Sequence, residues 1–163
     1  MSKRTDFVVL VIEDDEFKGK RLEQALRKML PASTLVLERA VNSGLRTIVE
    51  QRPDLILLDM SLTTFDVGPH EPGGRPQNFG GMEVLRQMDR LSIAIPTIVI
   101  TQHERFVSGD EQVNLSTLNR ELVEEHEKVF RGLIYYNSAR GEWERKLASL
   151  VKPLVAEKEA MQS

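Results

Sequence analysis

Three nearly unbroken aliphatic runs constrain this chain more than any other feature: FVVLVI at 7–12, DLILL at 54–58 and PTIVI at 96–100. A strand with one wet face alternates apolar and polar residues. These runs do not alternate, so they suit strands covered on both faces, as in a parallel sheet. Two shorter segments, TLVLERA at 34–40 and LIYY at 133–136, bring the expected strands to five.

Helical spacing fills the intervals. Residues 15–30 carry Phe17, Leu22, Ala25, Leu26, Met29 and Leu30, and Pro31 stops the pattern. Residues 42–51 predict a helix capped by Asn42 or Ser43, with Leu45, Ile48 and Val49 facing inward. A third helix spans 81–91 on Met82, Val84, Leu85 and Met88. After a polar stretch, residues 111–130 predict a fourth, with Val113, Leu115, Leu118, Leu122, Val123 and Val129 on its apolar side. Asn137 and Ser138 then cap a last helix carrying Trp143, Leu147, Leu150 and Val151. Pro153 predicts a kink or an end there, and the polar residues 157–163 predict a frayed tail.

Strands alternating with helices predict an α/β fold, a doubly wound five-stranded parallel sheet of (βα)5 type. The 163 residues suit a single domain over 1–163, with no internal repeat and no dividing linker. One interval does not fit. SLTTFDVGPHEPGGRPQNFG at 61–80 holds three prolines and four glycines, and reads as a long insert after the third strand.

Composition narrows the chemistry. The chain has no cysteine, which excludes disulfides, thiolate metal sites and cysteine nucleophiles together. A net charge of −3 gives no broad drive toward nucleic acid or an acidic membrane. The first apolar run stops at Glu13, too soon for an export signal or a span. A cytoplasmic protein is expected.

In doubly wound sheets the sites lie beyond the carboxyl ends of the strands. That rule selects Glu13, Asp14 and Asp15 after the first run, Asp59 after the third strand, and Thr101 after the fourth. Carboxylates gathered on one rim repel each other, and a hard divalent cation such as Mg²⁺ relieves the repulsion. One carboxylate can then attack a phosphoryl group, and a hydroxyl such as that of Thr101 can donate to the product. Taken singly, each residue has a plainer reading: Asp14 or Asp15 as a helix N-cap, Asp59 as a turn residue. The joint placement is the specific part.

The pattern resembles the response-regulator receiver family, CheY-like in fold, as a divergent stand-alone member. The pieces that carry the resemblance are VLVIEDDE at 9–16, PDLILLDMSL at 53–62, GGMEVLRQM at 80–88 and IPTIVIT at 95–101, and it covers 7–151. The resemblance implies Asp59 as phosphoacceptor, Asp14 as direct metal ligand and Glu13 as a ligand through water. It further implies that Ser61 offers its backbone carbonyl to Mg²⁺, that Met60 flanks the acceptor, and that Thr101 is the switch hydroxyl. Implied partners are a histidine kinase or phosphotransfer protein and a downstream protein. Direct nucleic-acid or membrane contact is not expected, homodimerisation is left open, and no enzymatic activity is implied beyond self-phosphorylation and dephosphorylation.

The chain departs from that family in three places. The lysine that follows the fifth strand is replaced by Tyr136, with Asn137 where proline is usual. Lys152-Pro153 offers a competing register, disfavoured because GEWERKLASLV has helical spacing. The insert at 61–80 sits beside the acceptor and holds Asp66, His70, Glu71, Arg75, Gln77 and Asn78. Arg75 could replace the missing lysine and His70 could add a metal ligand, though each also reads as a solvated loop residue. The segment 102–131 is expanded, and Leu133 stands where the family has a switch aromatic. His103 and His126 read as surface or cap residues.

Three functions compete. One is a phosphorylated receiver, signalling by contact or acting as a phosphate sink. The second is a pseudo-receiver, an interaction module that is not phosphorylated, favoured by Tyr136. The third is a phosphatase of the haloacid dehalogenase type, which would need an acid where Ser61 stands. A dinucleotide enzyme lacks its G-x-G-x-x-G after the first strand.

Overall fold

The computed structural model describes residues 6–62, 80–108, 111–137 and 141–162. The aliphatic runs become β1 (Val8–Ile12), β3 (Leu55–Leu58) and β4 (Thr97–Thr101), with every residue of each buried. β2 (Thr34–Glu38) lies at the sheet edge and is half exposed. The chain also forms α1 (Glu16–Met29), α2 (Val41–Gln51) and α3 (Gly80–Arg90). It continues through β5 (Arg105–Ser108), β6 (Glu111–Asn114), α4 (Leu115–Glu125), β7 (Phe130–Tyr135) and α5 (Glu142–Gln162).

Five strands pair in the order β2-β1-β3-β4-β7, and all pairings are parallel. This is the doubly wound parallel sheet that the alternating pattern predicts. One apolar layer packs the β1, β3 and β4 residues Leu10, Ile12, Ile56, Leu58 and Val99 against α2, α3 and α4. The opposite layer packs Val9, Val11, Leu57, Ile98 and Ile100 against α1 and α5. Each fully buried Leu or Ile contributes about 1.5–3 kcal/mol, so both faces of the strands hold the helices in place.

Strand order reverses beside β1, because β2 and β3 flank it on either side. The rim beyond β1 and β3 is therefore the crevice where such folds place a site.

Several expectations are corrected. Arg105–Ser108 and Glu111–Asn114 form an antiparallel two-stranded ribbon, so the helix expected from 111 begins only at Leu115. Phe106 and Val113 pair across this ribbon and are buried in the core, which the helix could not have arranged. Asn114 caps α4 by accepting from the Thr117 amide. Phe17, Val49 and Val123 are exposed rather than inward. Ala40 precedes α2 as its cap, and the Ser43 hydroxyl accepts from the Ala40 amide. Pro153 does not end α5, which runs on to Gln162.

The tail is tied down as well. Lys158 Nζ donates to Asp54 Oδ2 at 2.8 Å and to the Asp6 carbonyl at 2.6 Å. His126 is buried as the C-cap of α4, with Nδ1 3.2 Å from Asp89 Oδ2, so it is a cap and not a surface residue. Lys152 lies exposed on α5, which settles the register in favour of Tyr136 after β7. Asp66, His70, Glu71, Arg75, Gln77, Asn78 and Ser138 lie outside the described residues.

Candidate functional site

Three strand ends build the site. The Asp59 amide donates to the Ile12 carbonyl at 3.0 Å, which fixes the end of β3 beside the end of β1. The Glu13 amide donates to the Glu38 carbonyl at 2.9 Å, holding the other side of β1. Together these bonds deliver Glu13, Asp14 and Asp59 to one corner, where a carboxylate oxygen from each lies within 4.8 Å of the others.

The neighbouring acid has a different task. Asp15 is the N-cap of α1 and accepts from the Lys18 amide at 3.0 Å. The plain N-cap reading thus applies to Asp15 and leaves Asp14 free of it.

Glu13 and Asp59 are buried, and Asp14 is partly so. Burial pushes the Glu13 carboxyl up to about 9, with the Asp59 charge adding to it and Lys18 opposing it. Asp14 is raised as well, first by burial and then by Asp59. The Ser61 amide donates to Asp59 Oδ1 at 3.3 Å, one fixed dipole aimed at that carboxylate. Met60 is fully buried beside it.

The α3 start closes in behind Asp59. The Gly81 amide donates to the Met60 carbonyl at 3.1 Å. A Cβ on Gly81 would come within 2.7 Å of the Asp59 carbonyl oxygen and 2.9 Å of Met60 Cα, so only glycine permits this approach.

Thr101 ends β4 and is completely buried, its Oγ1 accepting from the His103 amide at 3.1 Å. The hydroxyl proton is thereby left for another acceptor. Tyr136 follows β7, its amide donating to the Thr101 carbonyl at 2.7 Å. Burial raises its phenol above the usual value, so the side chain is neutral and offers no cation. Leu133 lies within β7 in the core, while Tyr135 is exposed.

Sequence reasoning missed one residue of this corner. Lys18, on the first turn of α1, is 1% exposed. Its ammonium lies 2.5 Å from Glu13 Oε1, 3.5 Å from Asp59 Oδ1 and 3.1 Å from the Ile100 carbonyl. Burial disfavours the charge, but Asp59 and then Glu13 outweigh it, and the Lys18 pKa stands above that of a free lysine. The signal was present: Lys18, Leu22, Ala25 and Leu26 fall at i, i+4, i+7 and i+8, the buried stripe of the helix. Phe17 lies off that stripe and is 64% exposed.

The donor set suits a hard divalent cation. Three buried or partly buried carboxylates face one ammonium, so a cation that ionises Glu13 would meet an excess of up to two negative charges there, and oxygen ligands are what Mg²⁺ takes.

The fold is that of response-regulator receiver domains. It matches a CheY-like response regulator receiver domain protein from Methanospirillum hungatei with a TM-score of 0.63, at 17% identity, over 96% of this chain and 99% of that one. A response regulator receiver domain protein from Clostridium thermocellum gives a TM-score of 0.61 at 16% identity, over 95% and 98%. Among curated sequences the chain is 28% identical to protein y4jR of Sinorhizobium fredii, covering 82% of this chain and 89% of the relative. It is 22% identical to the Detocs response regulatory protein DtcB of Enterobacter cloacae, covering 90% and 99%. No protein-family model matches the chain. Among the described residues, no helix is long and apolar enough to cross a membrane.

Proposed function

We propose that the chain works as one receiver-like unit that accepts a phosphoryl group on Asp59 and passes the signal on by protein contact. The observation that carries this reading is the meeting of Glu13, Asp14 and Asp59 within 4.8 Å at the switch point of the sheet. The position of Thr101 at the end of the next strand supports it. The response regulatory names of two of its curated relatives point the same way.

In the proposed step an Asp59 carboxylate oxygen attacks phosphorus. The bond from phosphorus to the donor nitrogen, that of a phosphohistidine on a kinase or phosphotransfer protein, breaks. Its electron pair leaves with the imidazole, which takes up a proton. Hydrolysis later returns the aspartyl phosphate to carboxylate and inorganic phosphate. Glu13, Asp14, Asp59 and the Ser61 carbonyl would hold Mg²⁺, which would supply charge neutralisation for the phosphoryl group. The chain's own residues do the positioning. The Ser61 amide orients the Asp59 carboxylate. The Thr101 hydroxyl donates to a phosphoryl oxygen. The Gly81 contact fixes the backbone beneath the acceptor.

A second reading, the pseudo-receiver, rests on Tyr136, which puts a neutral phenol where a cation is expected. One experiment separates the two. The protein is incubated with Mg²⁺ and phosphoramidate and its intact mass is taken, with Asp59→Ala as control. A phosphoryl adduct absent from the control supports the phosphorylated receiver. A wild-type protein that takes no adduct while staying folded supports the pseudo-receiver.

A further inference from the structure

We infer that Lys18 is the phosphate-facing cation of this site, supplied from the first turn of α1 in place of a lysine after the last sheet strand. The inference rests on the phosphorylated-receiver reading and adds a residue to it.

The geometry is specific. An ammonium has three N–H donors. Two of those of Lys18 donate, to Asp59 after β3 and to the Ile100 carbonyl in β4, and the charge also pairs with Glu13 after β1, so the ammonium faces the ends of three adjacent strands. The side chain therefore crosses the rim and reaches the stretch of β4 just before Thr101, the hydroxyl on the other side of the acceptor. A lysine so deeply buried costs several kcal/mol to desolvate unless it is paired, and here the charge is paired with both Glu13 and Asp59.

Tyr136 fits the same arrangement. The residue after β7 is pinned by the hydrogen bond its amide donates to the Thr101 carbonyl, and its ring lies 5.8 Å from Lys18 Nζ, within cation–π range. The ring also packs on Trp143 of α5 with centroids 5.1 Å apart. Tyr136 thus acts as a wall behind the ammonium, and the loss of a lysine there and the burial of Lys18 are two sides of one exchange. When Asp59 carries a phosphoryl group, the Lys18 ammonium keeps Glu13 and turns its Asp59 contact to a phosphoryl oxygen.

A plain structural counter-ion for Glu13 would make the same resting contacts, so the test must read the phosphoryl group. Adduct formation with Mg²⁺ and phosphoramidate is followed by intact mass in wild type, in Lys18→Met, and in the double variant Lys18→Met/Tyr136→Lys. Melting and Mg²⁺ titration are run on each. Removing one preorganised charge partner should slow adduct formation roughly 100-fold in Lys18→Met, and returning a lysine after β7 should bring the rate back to within about tenfold of wild type. Wild-type rates in a folded Lys18→Met overturn the inference and leave the receiver reading standing. No adduct in wild type overturns both. Should Lys18→Met fail to fold, the double variant decides: a folded, phosphorylated protein supports the inference, and a folded but inert one overturns it.

Discussion

Lys18 Nζ lies 2.5 Å from Glu13 Oε1, both side chains 2% exposed, so the acidic corner carries its own cation on the helix that follows it. The pair explains how a buried cluster of like charges is tolerated, and why it is only partly satisfied. Three carboxylates share one ammonium.

Added Mg²⁺ should therefore stabilise the fold. At a concentration a hundred times its Kd the gain is about 2.7 kcal/mol, read as a rise in Tm of several degrees. Asp14→Asn and Asp59→Asn should each remove most of that rise. A thermal scan with and without Mg²⁺ checks this, and an equal shift in all three proteins would contradict a site at these residues.

Without divalent cations, stability should fall as pH rises. Glu13 is raised from 4.5 to about 9 in the fold, so between those values the folded chain holds a proton that the unfolded chain has released. The contribution is fully present below about 4.5 and is lost as pH climbs through about 9. Asp14, raised by burial and by Asp59, acts in the same direction. The urea midpoint measured across this range should decline in wild type and decline less in Glu13→Gln.

Gly81→Ala should cost about 1–3 kcal/mol, the usual range for forcing an extra methyl group into a packed site. The added Cβ would press on the Asp59 carbonyl and on Met60 Cα, so the variant should also lose acceptor function beyond what its stability explains. Paired melting and adduct measurements check this. A normal adduct rate in a destabilised protein would show that the contact serves packing alone.

Lys158→Ala should cost about 1 kcal/mol. Its ammonium bridges Asp54 and the Asp6 carbonyl, and Asp54 in turn accepts from the Val8 amide at 2.8 Å. The measurement is denaturant unfolding. No change would mean that the end of α5 is not an anchor.

The central strands were legible because burial on both faces writes itself as continuous aliphatic sequence in Val8–Ile12, Leu55–Leu58 and Thr97–Thr101. The acids and Thr101 were legible because a parallel sheet leaves its strand ends on one rim. The β5–β6 ribbon was not. Phe106 and Val113 are single buried residues in a polar stretch without an Asn-Gly turn. Lys18 was hidden by residue type. A lysine on a helix normally reads as solvated, and its place on the stripe of Leu22, Ala25 and Leu26 becomes informative only once a cation is missing elsewhere. Pro153 misled because α5 continues through it, with Leu154 buried on the same face as Leu147 and Val151.

Reductive trapping tests the central claim most directly. An acyl phosphate on an aspartate is reduced by borohydride to homoserine, whereas a free carboxylate is not. After treatment with Mg²⁺ and phosphoramidate, peptide mass analysis should find homoserine at position 59 and unchanged aspartate at Asp14, Asp15 and Asp54. Unreduced Asp59 in a folded protein, or homoserine at any of those other positions instead, would contradict the assignment of Asp59 as phosphoacceptor.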